Sequence, residues 1–375
     1  MDETQPPEPS VLTRSVGLSE FWVFRALRGG VFTALPFAVL MIVLYQTGSI
    51  RTQQVVLIFI TYLMVALGLQ IFTGNSGVIS FAHVAFMAIG GYTAALMSLS
   101  PETKASQIGD APSFILNAHY SFFISTLIAI AVTCVVAAPF GVVFARLSGT
   151  AAAIATLAFY FIVYTVIANW TTVTHGTFTL YGIESYKGST LLWWAIAWSV
   201  VGIIVARLFR ESGIGLALRA TSSDDLVARA VGVNMTRARL FAWILSAGLA
   251  AVGGALYMKF LGSLAPTTFS FDPIVIVILV LFIVGGRSVS GVVVGATLVA
   301  VVDEILKRFE ASIDRSGVEI VGLATIFTLT MVFRSSGLFG RWEIDELFAR
   351  WRHRSKQGQY RPEAAAIEEG AEINH

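Results

Sequence analysis

The chain has 375 residues, of which 56% are hydrophobic and only 13% charged, and its formal net charge is +2. A soluble domain usually carries about 25% charged residues, so the composition excludes an ordinary water-soluble fold. The single cysteine, Cys134, excludes an intrachain disulfide and a cysteine metal site. Four long stretches lack Asp, Glu, Lys and Arg altogether: 52–101, 111–145, 147–183 and 188–206. Because a membrane helix needs about 20 apolar residues, the sequence predicts an all-α, polytopic transmembrane bundle.

Residues 1–20 are predicted to form a disordered cytoplasmic tail, because they are acidic and proline-rich and lack the positive start of a secretory signal. Residues 21–340 form the predicted membrane domain, with about 8–10 spans. The eighth and ninth apolar runs look too short to cross alone at about 1.5 Å per residue, and we interpret them as a broken pair around Gly285, Gly286 and Arg287. The ten candidate runs centre on 31–47, 54–72, 78–99, 120–145, 150–169, 190–208, 240–258, 273–286, 289–305 and 317–333.

The distribution of Lys and Arg predicts the orientation of the bundle. With the N-terminus inside and ten spans, 18 of the 25 Lys and Arg residues fall in cytoplasmic segments and 7 in outside segments. Cytoplasmic loops carry the excess of positive charge in membrane proteins. We therefore expect both termini in the cytoplasm and the polar loop 171–189 outside, where it either meets a binding protein, caps the pore or acts as a plain connector.

The hydrophobic run of the second and third spans is interrupted by the sequence GNSG, residues 74–77. Asn75 lies in this interruption, and Ser80 and His83 enter the next span. Broken helices at membrane depth are places where transported molecules meet backbone dipoles, and an ionisable residue in a span is a functional candidate. These three residues are therefore predicted to line a translocation path. The alternative is that His83 is a structural histidine bonded to a neighbouring helix.

Small residues recur at four-residue spacing in two later spans, as Gly291 and Gly295 and as a stripe of alanines at 247, 251 and 255. Such stripes let helices approach closely in a membrane. We interpret both as internal packing rather than as contacts with a partner subunit.

The long inside loop, residues 210–239, is rich in arginine. Thr221, Ser222, Ser223 and Asp224 are residue types that cap helix N-termini, and Gly232 is suited to end a helix. The pattern predicts a short amphipathic helix between them, which either lies on lipid headgroups or docks to a cytoplasmic partner. A second interfacial helix is predicted at 341–353 in the cytoplasmic tail 341–375, where Trp351 and three other apolar residues recur at helical spacing.

Several motifs together resemble the branched-chain amino acid ABC transporter permease family, the Liv type, and in particular its M-like subunit. They cover roughly residues 54–340 in the order of the family: GNSGVISFAHVAFMAIGGYTAALM at 74–97, ATLAFYFIVY at 155–164, the loop sequence from 215 to 257, GGRSVSGVVVGATLVAVVDEIL at 285–306 and RSSGLFG at 334–340. Three positions depart from the family pattern, at Ala82, Asp225 and Ser336.

The resemblance implies a heterodimer with a homologous permease, two cytoplasmic ATP-binding subunits and an extracytoplasmic solute-binding protein, in the bacterial inner membrane. It implies that the loop 210–239 couples this chain to the ATPases. The predicted coupling residues are Arg219, Asp224, Asp225, Ala228 and Gly232. The predicted path residues are Asn75, Ser80 and His83, with Thr156, Tyr160 and Ser246 as the next polar candidates in the spans.

Several motifs are missing from the sequence. No phosphate-binding GxxxxGK[ST] loop is present, so ATP hydrolysis is predicted on a partner chain. No catalytic motif or cofactor motif is present, so the chain is not expected to be an enzyme. The spans before residue 209 contain no carboxylate, which a proton-driven carrier usually needs. The main prediction is therefore an ABC importer permease for a branched-chain amino acid or a similar small polar solute such as an amide or urea; the alternative is a self-contained secondary transporter or channel.

Overall fold

The computed structural model of the chain describes residues 11–184, 189–223, 234–270 and 288–313, with isolated positions beyond, among them Glu343. The described residues form helices and one isolated antiparallel bridge, Leu180 to Leu264, without a strand. The helices are α1 (Val11–Thr47), α2 (Ile50–Leu69), α3 (His83–Ser98), α4 (Pro101–Ile108), α5 (Ser113–Leu116), α6 (Phe122–Phe144), α7 (Gly149–Asn169), α8 (Thr171–Thr174), α9 (Ser189–Glu211), α10 (Gly213–Ser223), α11 (Met235–Leu261) and α12 (Val289–Ile313).

Seven of the described helices are long and apolar enough to cross a membrane, and α3 with α4 forms a bent pair that would make an eighth. This confirms the predicted all-α membrane bundle. The ninth apolar run is not too short, as the sequence suggested, because α12 continues for 25 residues. The charges in its last turns do not end it, since Glu304 pairs with Arg308 one turn later, at 2.7 Å, and with Arg51 at 3.2 Å. The eighth run and Gly285, Gly286 and Arg287 lie outside the described residues.

Helix α1 begins at Val11, inside the segment that the sequence predicts as a disordered tail. Once a helix is nucleated, each added residue costs little. The helix of the apolar span that starts at Trp22 therefore continues backward to Val11. No proline interrupts it between Val11 and Leu35.

The centre of the bundle is the packing of α3 and α11 through small residues. A side chain on Gly254 would place its Cβ 1.9 Å from the Met87 carbonyl oxygen, and one on Gly90 would lie 2.4 Å from the Ala251 Cα. Ala247, Ala251 and Ala255 are fully buried on α11. The predicted stripe of small residues is therefore internal packing, which lets the two backbones touch.

One end of the bundle, the α4 end, is closed by short helices and the loop after α8. The Lys104 ammonium is completely buried and donates to the carbonyl oxygens of Leu96, at 3.1 Å, Ile115, at 2.7 Å, and Ala118. Tyr181 in the loop exchanges two hydrogen bonds with the side chain of Gln107 on α4, each 2.9 Å long. The described part of the loop 171–189 therefore lies folded against this end. Helix α9 runs from this end to the opposite one, where α10 begins and which we call the α10 end. At about 1.5 Å per residue, its 23 residues separate the two ends by more than 30 Å.

Candidate functional site

The helix that begins as α2 does not continue into α3 but loosens into a single π-helical turn, Gln70–Gly74. After two further helical residues, Asn75 and Ser76, the chain runs without helix to the start of α3 at His83, through Gly77, whose φ of +72° favours glycine. We call residues 70–82 the break. Single π turns occur often at functional sites, because the widened turn displaces backbone and side chains from their helical positions. The structure thus confirms the interruption that the glycines predict.

Asn75 ends the π turn with its side chain. Its amide nitrogen donates to the carbonyl oxygens of Gln70, at 3.1 Å, and Ile71, at 3.0 Å. Carbonyls at a helix end lack partners of their own, and a side chain that supplies two donors fixes where the helix stops. Asn75 is fully buried, so its conformation is set by these bonds and by one further contact of its oxygen, described below.

His83, the first residue of α3, is buried among aromatic rings. Its Nδ1 lies 3.2 Å from the Ser80 hydroxyl, and its ring centroid lies 6.5 Å from Phe72, 5.9 Å from Phe86 and 6.4 Å from Trp243. Its Nε2 is buried without a hydrogen bond of normal geometry, although the backbone of Gly68 is close enough to interact with the ring. His83 is buried in this conformation, and its role in the path stays a prediction.

Helix α7 carries two of the predicted path residues on one face. The Thr156 hydroxyl accepts from the Phe81 amide of the break at 3.2 Å, and the Tyr160 hydroxyl donates to the Phe269 carbonyl at 2.8 Å. One turn of helix separates them. Tyr160 and Tyr164 line a narrow, mostly apolar cleft between α3, α7 and the turn Pro266–Phe269. This face of α7 therefore leads from the break to the cleft.

Ser246 is the predicted path residue that lies apart from the break. It is fully buried on α11, its hydroxyl donates to the Trp243 carbonyl at 2.8 Å, and its own carbonyl faces Gly68 of α2. Trp243, one turn before Ser246, is the link to the break, because its ring contacts both Phe72 and His83.

Sequence reasoning missed two polar residues of the π turn itself. Gln70 is 0% exposed, and neither its amide oxygen nor its amide nitrogen has a hydrogen-bond partner. The Thr73 hydroxyl is buried without a partner as well. An unpaired buried polar group costs about 1–3 kcal/mol and is rare in folded proteins. Within an apolar run, a lone glutamine followed three residues later by threonine was the available signal.

The predicted coupling loop begins with a helix that the sequence did not predict. Helix α10, Gly213–Ser223, takes up Thr221, Ser222 and Ser223 as its last turn, where the pattern indicated the cap of a following helix. Arg219 is the one predicted coupling residue within the described part of the chain. Its Nη1 donates to the Arg210 carbonyl at 2.7 Å and reaches the Asn75 side-chain oxygen at 3.4 Å. Asp224, Asp225, Ala228 and Gly232 lie outside the described residues, as does the predicted helix 341–353 apart from Glu343.

Beside α10 lies a second polar cluster that the sequence did not reveal, the Glu343 clip. The Glu343 carboxylate is fully buried and pairs with Arg207 at 2.8 Å and Arg210 at 2.9 Å. It also accepts from the Val289 and Ser290 amides at 2.9 and 3.0 Å and from the Ser290 hydroxyl at 2.6 Å. Burial alone would raise the pKa of Glu343, but Arg210, Arg207 and Ser290 outweigh it and hold the pKa below its usual value. The clip ties the chain after the membrane domain to α9 and to the start of α12.

The fold and these sites define a class of protein. The described residues hold seven or eight candidate membrane spans, one of which breaks among buried polar groups. Broken helices of this kind are typical of membrane transport proteins.

The chain belongs to the family described as the permease component of the branched-chain amino acid transport system, whose model matches residues 51–332. It is 26% identical over 310 residues to the high-affinity branched-chain amino acid transport system permease protein LivM of Salmonella typhimurium, covering 74% of this chain and 67% of that protein. The LivM protein of Escherichia coli matches with the same figures. The LivH protein of Salmonella typhimurium is 23% identical over 309 residues, 76% of this chain and 94% of that protein. No solved structure matches the chain. The family resemblance read from the motifs is confirmed.

Proposed function

We propose that this chain is the membrane-spanning permease subunit of an ABC-type importer in the bacterial inner membrane. It acts with a homologous permease, two cytoplasmic ATP-binding subunits and an extracytoplasmic solute-binding protein. The observation that carries the proposal is α10. In a chain of the permease family, the arginine-rich loop begins with a helix that lies against the end of the bundle and reaches the break through Arg219. A lone carrier has no need of such a helix.

The solute is a branched-chain amino acid or a similar small polar molecule without net charge, such as an amide or urea. The spans that surround the break and the cleft contain almost no charged side chains, which suits a zwitterion or a neutral solute better than an ion. The names of the relatives support the amino acid. Calorimetry on the binding protein that accompanies this permease identifies the solute, because selection occurs there first.

The solute passes between α3 and α7, from the cleft at Tyr160 to the break at Asn75, Ser80 and His83. Thr156 lies on the same face of α7 and bonds the break directly. The unpaired polar atoms of Gln70 and Thr73 are available to the polar groups of a solute when the break opens. Ser246 does not contact the solute, and it supports the position of Trp243 through the hydrogen bond to the Trp243 carbonyl.

Both chain ends lie in the cytoplasm, together with the α10 end, and the loop 171–189 lies outside. The residues at the α10 end support this, because Arg25, Arg207, Arg210 and Arg219 gather there. A cysteine introduced at Ser222 in a Cys134→Ala background should be protected from impermeant reagents in intact cells. Labelling of that cysteine from outside would contradict the orientation.

The function is tested with the complete complex in vesicles. The double variant Gly232→Val, Asp225→Lys should insert and assemble but lose ATP-driven uptake, because both changes fall in the segment of the coupling loop that is proposed to dock on the ATPases. Arg28→Ala is the matched control, since Arg28 is exposed on α1, outside that segment. Normal uptake by the double variant would contradict the assignment of the coupling loop. Uptake by the chain without ATPase subunits would favour a self-contained carrier.

A further inference from the structure

We infer that Arg219 and Asn75 form a tie that makes α10 and the break move as one body. The tie would deliver motion of the coupling loop directly to the π turn Gln70–Gly74. This inference rests on the proposed function, because it assigns to two residues the mechanical step between ATP hydrolysis on a partner and opening of the solute path.

The first part of the tie is the side chain of Arg219. Its guanidinium bridges two elements: it donates to the Arg210 carbonyl at the end of α9, at 2.7 Å, and reaches the Asn75 oxygen at 3.4 Å. The bond to the Arg210 carbonyl is charge-assisted, a kind that is stronger than a bond between neutral groups, and the longer contact to Asn75 comes from the same nitrogen. Residues 75 and 219 are far apart in sequence, so the contact joins the cytoplasmic loop to the membrane helix that breaks.

The second part is Asn75. While its oxygen faces Arg219, its nitrogen donates to the carbonyls of Gln70 and Ile71, at 3.1 and 3.0 Å. A planar amide holds these contacts in fixed relation, so a displacement of Arg219 displaces the atoms that end the π turn. Gln70, whose side-chain amide has no partner, therefore belongs to the part that moves.

A second point of approach between the same two elements lies close by. A Cβ built on Gly77 would lie 3.4 Å from the Ser222 Cβ, so the backbone at Gly77 passes near α10. Helix α10 thus contacts the break through Arg219 and lies close to it at Ser222.

The experiment measures solute moved per ATP hydrolysed by the complete complex in vesicles, with saturating loaded binding protein. Arg219→Ala and Asn75→Ala should each lower this ratio at least about tenfold, the factor expected from one charge-assisted hydrogen bond. ATP hydrolysis should continue, since the partner ATPase is untouched. The double variant should be no worse than either single one, because both remove the same link. Arg28→Ala, which removes an exposed arginine from α1 at the same end, should leave the ratio unchanged.

A cross-link tests the tie from the opposite direction. Cysteines at Gly77 and Ser222, in a Cys134→Ala background, would have their Cβ atoms 3.4 Å apart, just below the range of about 3.5–4.5 Å found in disulfides. Because the φ of Gly77 is +72°, the reduced double-cysteine chain must first be shown to transport. If α10 and the break move together, oxidation should leave transport intact. It should also restore transport to Arg219→Ala, and reduction should abolish the rescue. Suppose instead that oxidation abolishes transport in the double-cysteine chain that keeps Arg219, and that reduction restores it. This result would overturn the inference, because the two elements would then have to move apart.

The outcomes separate this inference from the proposed function. No ATP-driven uptake by the unmodified complex would contradict both. Normal uptake with an unchanged ratio in Arg219→Ala and Asn75→Ala would overturn the tie alone. If the paired cysteines prevent assembly, Asn75→Asp decides, since it keeps the acceptor for Arg219 but loses the nitrogen that donates to the Gln70 and Ile71 carbonyls. Its ratio should fall to that of Asn75→Ala, because the tie needs both contacts, and a ratio close to that of the unmodified complex would overturn the tie.

Discussion

Two fully buried polar side chains at the α10 end, Glu343 and Gln70, are treated by the fold in opposite ways. Glu343 has two arginine partners and accepts from two amides and a hydroxyl, whereas the amide of Gln70 has no partner at all. A buried charge is stable only when paired, and the pairing fixes its geometry. A buried amide without a partner lowers stability and stays free for a new one. The comparison supports a division in which the clip stabilises the fold and the break serves transport, as proposed above.

Arg210 joins the two regions. Its guanidinium belongs to the Glu343 clip, and its carbonyl accepts from Arg219, which reaches the break. The Glu343 clip thus provides a fixed point beside the break, which is the region proposed to move. The following predictions test this division, beginning with the largest effect on stability.

The substitution Glu343→Ala should lower the free energy of unfolding by about 3–5 kcal/mol, because it leaves two arginines in a buried site without their carboxylate. Thermal unfolding of the purified protein in detergent measures the change. Glu304→Ala is the matched control. It removes ion pairs with two exposed arginines, Arg51 and Arg308, each worth about 0–1 kcal/mol. Equal effects of the two substitutions would contradict the role of the clip.

The clip also predicts a pH dependence. The pKa of Glu343 is lower in the folded chain than in the unfolded one, where it is about 4.3. Its contribution is therefore fully present above that value and is lost as the pH falls through the folded pKa. The unfolding temperature should change more steeply in acid for the unmodified protein than for Glu343→Gln. Parallel curves for the two proteins would show that Glu343 contributes no acid sensitivity.

The contact between α3 and α11 predicts an effect of intermediate size. Gly254→Ala would place a Cβ 1.9 Å from the Met87 carbonyl oxygen, so the helices must separate, at a cost of about 1–3 kcal/mol. Gly248→Ala, on the same helix, meets nothing closer than 3.4 Å and should be neutral or slightly stabilising. Melting curves of the two variants compare the sites. A Gly254→Ala variant as stable as the Gly248 variant would show that the packing is loose.

The membrane spans could be predicted because charge-free runs of helical length rarely occur outside membrane proteins, and the break because glycine and asparagine interrupt such a run. The sequence could not show α10, since its polar last turn resembles the cap of a following helix. The π turn has no sequence signature, so Gln70 looked like one polar residue on a helix. Glu343 is one of three acids between residues 343 and 346, and nothing local tells which one folds back onto Arg207.

The substitution Gln70→Met tests the division between clip and break most directly, because methionine keeps the length of the side chain and removes its polar atoms. Unfolding temperature and ATP-driven uptake are measured on the same reconstituted complex. We predict unchanged or higher stability, since an unpaired buried amide is removed, together with uptake reduced about tenfold or more. Lower stability with normal uptake would contradict the account, because Gln70 would then belong to the fold and not to the solute path.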